Sequence, residues 1–375
     1  MSKECLKGVY VRTKPFALMI LLQTSYAVNG LIGKSALNKG LNHYTFSVYR
    51  NLFAALFFGP FAFFLERKVR PKMTVSIFLK IMLLGLLEPV IDQNLFYGGM
   101  KFTTATFATA MCNIVPAVTF VMAWIFRLEK VKIKSLHSQG KIIGTLVTVG
   151  GAMIMTLVTG PAIQFPWTNH HNLHHQSSVN TVSNQDQIKG SLMITAGCFS
   201  WASFVIVQAV ALKSYPAELS LTALVCLMGS LEGSVLTLVA EKANASIWSL
   251  NWDVKLFAAL YSGIVCSGCA YYVSGLVMQE RGPVFVTAFN PLGMVIIAIM
   301  GSCILFEKLN LGSVVGAVVI VVGLYLVIWG KSKDQKDQQG RKLSVDQQND
   351  DIKTIVLKQD DVNSCGKTSN DLESV

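Results

Sequence analysis

Apolar runs of about twenty residues recur along the whole chain, separated by short polar loops, and each is long enough to cross the hydrocarbon core of a bilayer. They fall at roughly 16–36, 44–65, 75–98, 102–126, 140–159, 190–212, 218–240, 255–277, 284–305 and 312–330. None shows the ten-residue alternation of a lipid-facing β-barrel strand. The pattern predicts an all-α membrane protein with ten transmembrane helices. The segments outside it read as a basic N-terminus over 1–15, a polar linker over 160–189 and a disordered tail over 331–375. A mean hydropathy of +0.49 agrees with this class and argues against an ordinary soluble domain.

The pattern also repeats. Gly85 and Glu129 fall on Gly263 and Glu307 at an offset of 178, and Glu66 falls on Glu241 at 175. Gly140, Gly144 and Gly151 fall on Gly312, Gly316 and Gly323 at 172. Two halves of five spans each, 16–159 and 190–330, must insert with opposite orientation because five is odd. Inverted repeats of this kind are a transporter architecture, with the substrate near the midplane between the halves and alternating access by rocking. A duplicated scaffold with no pore is the competing reading.

Charge changes the picture only through its positions. A net charge of +11 would suit a nucleic-acid partner, but the basic residues sit in short loops between spans. Arg67, Lys68, Arg70, Lys72, Arg127, Lys130, Lys132 and Lys134 fall on one side with both termini, whereas Lys39, Lys101, Lys189 and Lys242 are scattered on the other. This bias predicts cytoplasmic termini and leaves nucleic acid without a role. Most of the eight cysteines lie within spans and have no disulfide-framework spacing. The Cys266-x-x-Cys269 pair, on an apolar helix, reads as small packing residues. His170, His171, His174 and His175 have helical ligand spacing, but they sit in the linker and read as solvated, so no metal is expected. No phosphate-cradling Gly-Lys-Ser/Thr loop, nucleophile elbow or His-Glu-x-x-His occurs, so the chain reads as a non-enzyme without a cofactor.

The polar residues inside spans carry the candidate chemistry. Two acids, Glu88 and Asp92, stand in one apolar run with Pro89 between them. A charge in lipid costs about 2.5–3.5 kcal/mol on insertion scales, so this helix is expected to face protein or water. At 100° per residue Gly85, Glu88, Asp92, Phe96 and Gly99 share one face. Pro89 and Pro116 cannot donate to the carbonyls four residues back, and freed carbonyls beside acids suit a polar cavity. Structural kinks satisfied by neighbouring helices are the alternative. Asn113 before Pro116 and Asn290 before Pro291 lie close to equivalent repeat positions, where broken helix ends present partial charges. The candidate substrate-binding set is Gln23, Asn29, Glu88, Asp92, Gln93, Tyr97, Asn113, Gln208, Tyr271 and Asn290, with Pro89, Pro116 and Pro291 as helix breaks or gates. Glu88 or Asp92 could also hold a coupling proton. Lys34 and Arg50 are expected to snorkel to the membrane interface.

The stretch RPKMTVSIFLKIMLLGLLEPVIDQNLFYGGMKFTTATFATAMCNIVPAVTFVMAWIFRLEKV resembles the plant nodulin-like, EamA-type transporters, also called UMAMIT or walls-are-thin-related. RGPVFVTAFNPLGMVIIAIMGSCILFEK is similar to the signature of that family's second repeat, and the likeness covers roughly residues 12–333. It implies the drug/metabolite transporter fold of ten helices in two EamA repeats. It also implies facilitated, export-biased movement of amino acids across the plasma membrane, with the vacuolar membrane or auxin-like indole acids as the second reading. A membrane scaffold or sensor that moves nothing is the alternative of another class.

Overall fold

The computed structural model describes residues 3–38, 40–100, 102, 111–129, 135–158, 162–163, 184–242, 245–249, 253–304 and 309–331. The His170–His175 cluster, the Lys34 side chain, Glu307 and the tail lie outside the described residues. Helices α1 (Lys3–Asn38) and α2 (His43–Leu65) come first. Next are α3 (Val75–Gly85) and α4 (Gln93–Met100), joined through a π-helical stretch over Leu86–Asp92. Then come α5 (Val115–Ile125), α6 (Leu136–Leu157), α7 (Asn184–Ser214) and α8 (Glu218–Ala240). A second π-helical stretch, Ser262–Cys269, joins α9 (Val254–Tyr261) to α10 (Ala270–Arg281). The last helices are α11 (Pro283–Ala288), α12 (Asn290–Ile304) and α13 (Leu311–Lys331).

Among the described residues seven helices are long and apolar enough to cross a membrane, and α5 is a shorter apolar one. The chain is therefore a multi-pass membrane protein, and the secondary structure of its described residues is helical apart from one pair of two-residue strands. Its outward faces are apolar: Phe61, Phe64, Leu146, Val239, Val321 and Tyr325 are exposed, while Arg50, Asn51, Glu88, Gln93 and Lys141 are buried. That is the reverse of a water-soluble surface and fits a lipid surround. Two helices begin earlier than the apolar runs alone suggest. Helix α1 starts at Lys3 and passes through Pro15, and α7 starts at Asn184. Apolar length sets where a helix meets lipid, whereas good helix formers extend it into water.

Two pairings organise the bundle. Helices α2 and α8 make the most extensive packing contact, and each ends in an acid that serves the other's start. Ala217 cannot cap α8, and the Glu66 carboxylate instead accepts from the Leu219 and Ser220 backbone N–H groups at 3.0 and 2.7 Å. Glu241, at the end of α8, accepts at 2.7 Å from the side-chain amide of Asn42, whose oxygen in turn caps α2 through Tyr44 N–H. Carboxylates at helix N-termini satisfy orphan donors and meet the positive end of the dipole.

The second pair is α6 with α13, run antiparallel on glycine stripes. A Cβ on Gly144 would lie 2.6 Å from the Val327 nitrogen and 2.8 Å from the Gly323 oxygen, and one on Gly151 would lie 2.8 Å from the Ile320 nitrogen. Beyond the helix ends Ala162–Ile163 and Leu309–Asn310 continue the pairing as a short antiparallel bridge.

One loop end of the bundle is tied by charge. Glu129 accepts from Lys141 on α6 at 2.8 Å and from Lys331 at the end of α13 at 2.9 Å, all three being buried. Burial pushes the Glu129 carboxyl up, but Lys331 and Lys141 outweigh it and hold the group below its ordinary value of 4.5. A depressed carboxylate stabilises the fold above its unfolded pKa and loses that contribution as pH falls through the folded one. The detergent-solubilised protein is therefore expected to lose thermal stability as pH drops below about 4.5. The Glu129→Gln variant should show a flatter profile over the same range, read by the unfolding midpoint at successive pH values.

Candidate functional site

The site grows from the first π-helical stretch. Bonding there runs from residue i to i+5, so the Gln93 N–H reaches the Glu88 carbonyl. Side chains five apart therefore stack, and the Gln93 amide donates to Glu88 Oε1 at 2.9 Å. This corrects the face expected from 100° per residue. Glu88 turns towards α2 and α10, whereas Asp92 turns to α7, where a Cβ on Gly197 would lie 3.1 Å from Asp92 Oδ1. The carbonyls around Pro89 are not left open. Ser200 donates to the Leu87 oxygen, Ser47 to the Pro89 oxygen and Asn94 to the Val90 oxygen, each at 2.7 Å. Neighbouring hydroxyls and an amide thus take up the backbone groups that the wide turn presents at these three positions.

Arg50 of α2 completes the site, and the expectation that it snorkels is wrong. It is 6% exposed and Glu88 is 2% exposed, and Arg50 Nη2 stands 3.6 Å from Glu88 Oε1. The Arg50 Nε donates to Ser267 Oγ at 2.6 Å and Nη2 donates to the Cys266 carbonyl at 3.4 Å, both on the second π-helical stretch. The hydroxyl of Tyr271 donates to Glu88 Oε2. The ion pair is thus clasped between the two π-helical stretches. The second approaches α2 closely because Gly263 has no Cβ to collide with the Arg50 oxygen and the Phe53 side chain. The first packs on α8 through glycines in the same way: a Cβ on Gly229 would fall 2.5 Å from Pro89 Cγ.

Tyr271 links the ion pair to a narrow cleft. Trp201, Phe204, Gln208, Tyr271, Thr287 and Asn290 are among its walls, and Trp201 stacks on Phe204 with centroids 5.5 Å apart. Gln208 donates to the Tyr271 carbonyl at 3.3 Å, and Gln23 of α1 donates to Asn290 Oδ1 at 3.3 Å. Asn290 opens α12 after a one-residue break at Phe289, with Pro291 in the first turn. A matching break at Asn113–Ile114 precedes Pro116 in α5, and the Asn113 amide reaches the Met294 sulfur at 2.8 Å.

Of the expected residues, Glu88, Gln93, Tyr271, Gln208, Asn290 and Gln23 come together. Asp92 faces α7, and Tyr97 packs edge-on against Phe46. Asn29 keeps a buried amide oxygen without a partner among the described residues. Arg50 and Ser267 were missed. The signal for Arg50 lay in its own helix, where Ser47, Arg50, Asn51 and Ala54 recur at helical spacing and make one polar, small-residue face. Among the described residues no group of three or more His, Cys, Asp or Glu could hold a metal ion.

The bundle buries an ion pair among its helices, beside an aromatic cleft, which marks a polar site inside a membrane protein. Comparison with known proteins gives the family. The EamA-like transporter family model matches residues 13–157 and 188–329, and the chain belongs to that family. It is 58% identical over 322 residues to WAT1-related protein At2g39510 of Arabidopsis thaliana, covering 86% of each chain. It is 56% identical over 335 residues to WAT1-related protein At2g37460 of the same plant, covering 89% of this chain and 86% of that one. A solved crystal structure shares the fold at a TM-score of 0.63 and 13% identity, covering 84% of this chain and 98% of that chain. The protein is a membrane transporter of the drug/metabolite superfamily.

Proposed function

We propose that this chain is a secondary transporter that exports amino acids by alternating access through ten spans in two inverted five-helix repeats. The buried Arg50–Glu88 pair carries the reading. A zwitterion needs one group of each sign, and keeping both in a bilayer is costly unless they are used. The cleft beside them has apolar walls and the amides of Gln208 and Asn290, and it must widen during alternating access to take a side chain. The reciprocal service of α2 and α8 by Glu66 and Glu241, and the antiparallel pairing of α6 with α13, support the inverted repeat. The basic loops favour cytoplasmic termini, and the plasma membrane is the first choice of location, with the vacuolar membrane second.

An indole acid is the second substrate reading. The stacked Trp201–Phe204 wall suits a flat ring, and Arg50 alone would serve its carboxylate. Glu88 separates the two, because only an amino acid has an ammonium group for it. Proteoliposomes loaded with labelled amino acids and indole-3-acetate test both readings. Amino-acid efflux that disappears in Glu88→Gln is the expected result. Efflux of the indole acid alone would replace the first reading by the second, and no efflux from folded, correctly inserted protein would leave a scaffold. Running the wild-type assay at two external pH values tests proton coupling: efflux that changes with pH is expected, and efflux that does not change leaves a simple facilitator.

A further inference from the structure

Two thiols face each other at the break before α5. Cys112 is the residue before the Asn113–Ile114 turn, and Cys198 projects from α7. Their sulfurs are 3.8 Å apart, and the Cys198 sulfur is also 3.7 Å from the Met111 carbonyl oxygen. Both are free cysteines, Cys198 buried and Cys112 half-buried. They lie in an apolar cluster with Val115, Ile194 and Phe96, and Trp201 is shared between this cluster and the wall of the cleft. The sequence-adjacent pair behaves differently. Cys266 is buried with its thiol on the Ser25 carbonyl, whereas Cys269 is exposed on the bundle surface.

We propose that Cys112 and Cys198 are an oxidisable pair, closed to a disulfide by a small peroxide, and that the bond pins the break before α5 to α7. Hydrogen peroxide oxidises one thiol: an S–O bond forms, the O–O bond breaks, and water leaves with a sulfenic acid on sulfur. The second thiol then attacks that sulfur, its proton and the sulfenic hydroxyl leave as a second water, and the S–S bond forms. Two thiols and one peroxide give one disulfide and two waters. The sulfurs must close from 3.8 Å to about 2.05 Å, and the non-helical Asn113–Ile114 turn gives the backbone freedom to do so. The pinned break would then resist the rocking of the two halves, a consequence that rests on the alternating-access reading above.

The full chain in proteoliposomes is treated with hydrogen peroxide, its remaining thiols are blocked, and its peptides are mapped by mass spectrometry. A Cys112–Cys198 linked peptide, reversed by dithiothreitol and absent from Cys112→Ser and Cys198→Ser, is expected. Efflux should fall with the linkage, return on reduction and be insensitive to peroxide in Cys198→Ser. No such linkage in monodisperse protein overturns the pair. Linkage with unchanged efflux overturns the pinning. Protein that moves nothing even when reduced counts against the transport reading, and the linked peptide still decides the pair.

Discussion

Replacing Arg50 by methionine is expected to cost about 3–5 kcal/mol of folding stability, because it leaves the Glu88 carboxylate buried without its cation. The gross attraction between the charges is not what is lost. Both groups were taken out of water when the bundle formed, and that desolvation is balanced only while each has the other. Arg50 also satisfies Ser267 and the Cys266 carbonyl, so the variant strips the second π-helical stretch of its donor from α2. Glu88→Gln fails in the opposite sense, leaving a guanidinium with fewer acceptors. The double variant Arg50→Met with Glu88→Gln removes both charges and should recover most of the lost stability, since neutral groups replace a buried pair at little cost. It should not recover transport, because no charged group remains beside Tyr271 to meet a zwitterion. Thermal unfolding of the four proteins gives the coupling energy, and efflux gives the function. A double variant destabilised by the sum of the two single losses would show that the two residues act independently. One that still exports amino acids would show that the pair is only structural.

Much of the fold was legible in run length alone. The expected span 218–240 coincides with α8, and 44–65 lies one residue from α2, because a bilayer demands continuous apolar helix and little else produces it. The two π-helical stretches were not legible. Nothing in LLEPVID says that the bonding period changes from i+4 to i+5, yet that change separates Glu88 from Asp92 and brings Gln93 to Glu88 instead. Arg50 was misread for a related reason. A long side chain near a helix end can reach the interface, and only the position of Glu88 on another helix decides that it turns inwards. Cys112 and Cys198 are 86 residues apart, so their approach depends on packing between helices. Two sets of residues matched by offset in the sequence also meet in the structure. Glu66 and Glu241 match at one offset and serve reciprocal ends of α2 and α8, and the glycines matched at another offset form the α6–α13 contact.

That contact carries the second large effect. Gly144→Leu is expected to abolish recovery of folded, monodisperse protein. The atoms that a Cβ would meet are the Val327 nitrogen at 2.6 Å and the Gly323 oxygen at 2.8 Å, which are backbone atoms of α13 and cannot rotate away. Overpacking an interior typically costs about 1–3 kcal/mol, and more when no side chain can yield. Here the only relief is to separate α6 from α13. That would also open the Gly151, Gly316 and Gly323 contacts along the same stripe and pull Lys331 from Glu129 at its end. Small residues at membrane helix interfaces work through this close backbone approach, because lipid offers no hydrophobic drive to hold the helices together. Gly150 on the same helix provides the control: nothing lies within 4 Å of its Cβ position, so Gly150→Leu should behave like the wild type. Size-exclusion profiles and unfolding midpoints of the two variants in one detergent make the comparison. If both tolerate leucine, the stripe does not set the helix spacing. If both fail, helix α6 is sensitive to bulk on either face and the α13 contact is not the cause.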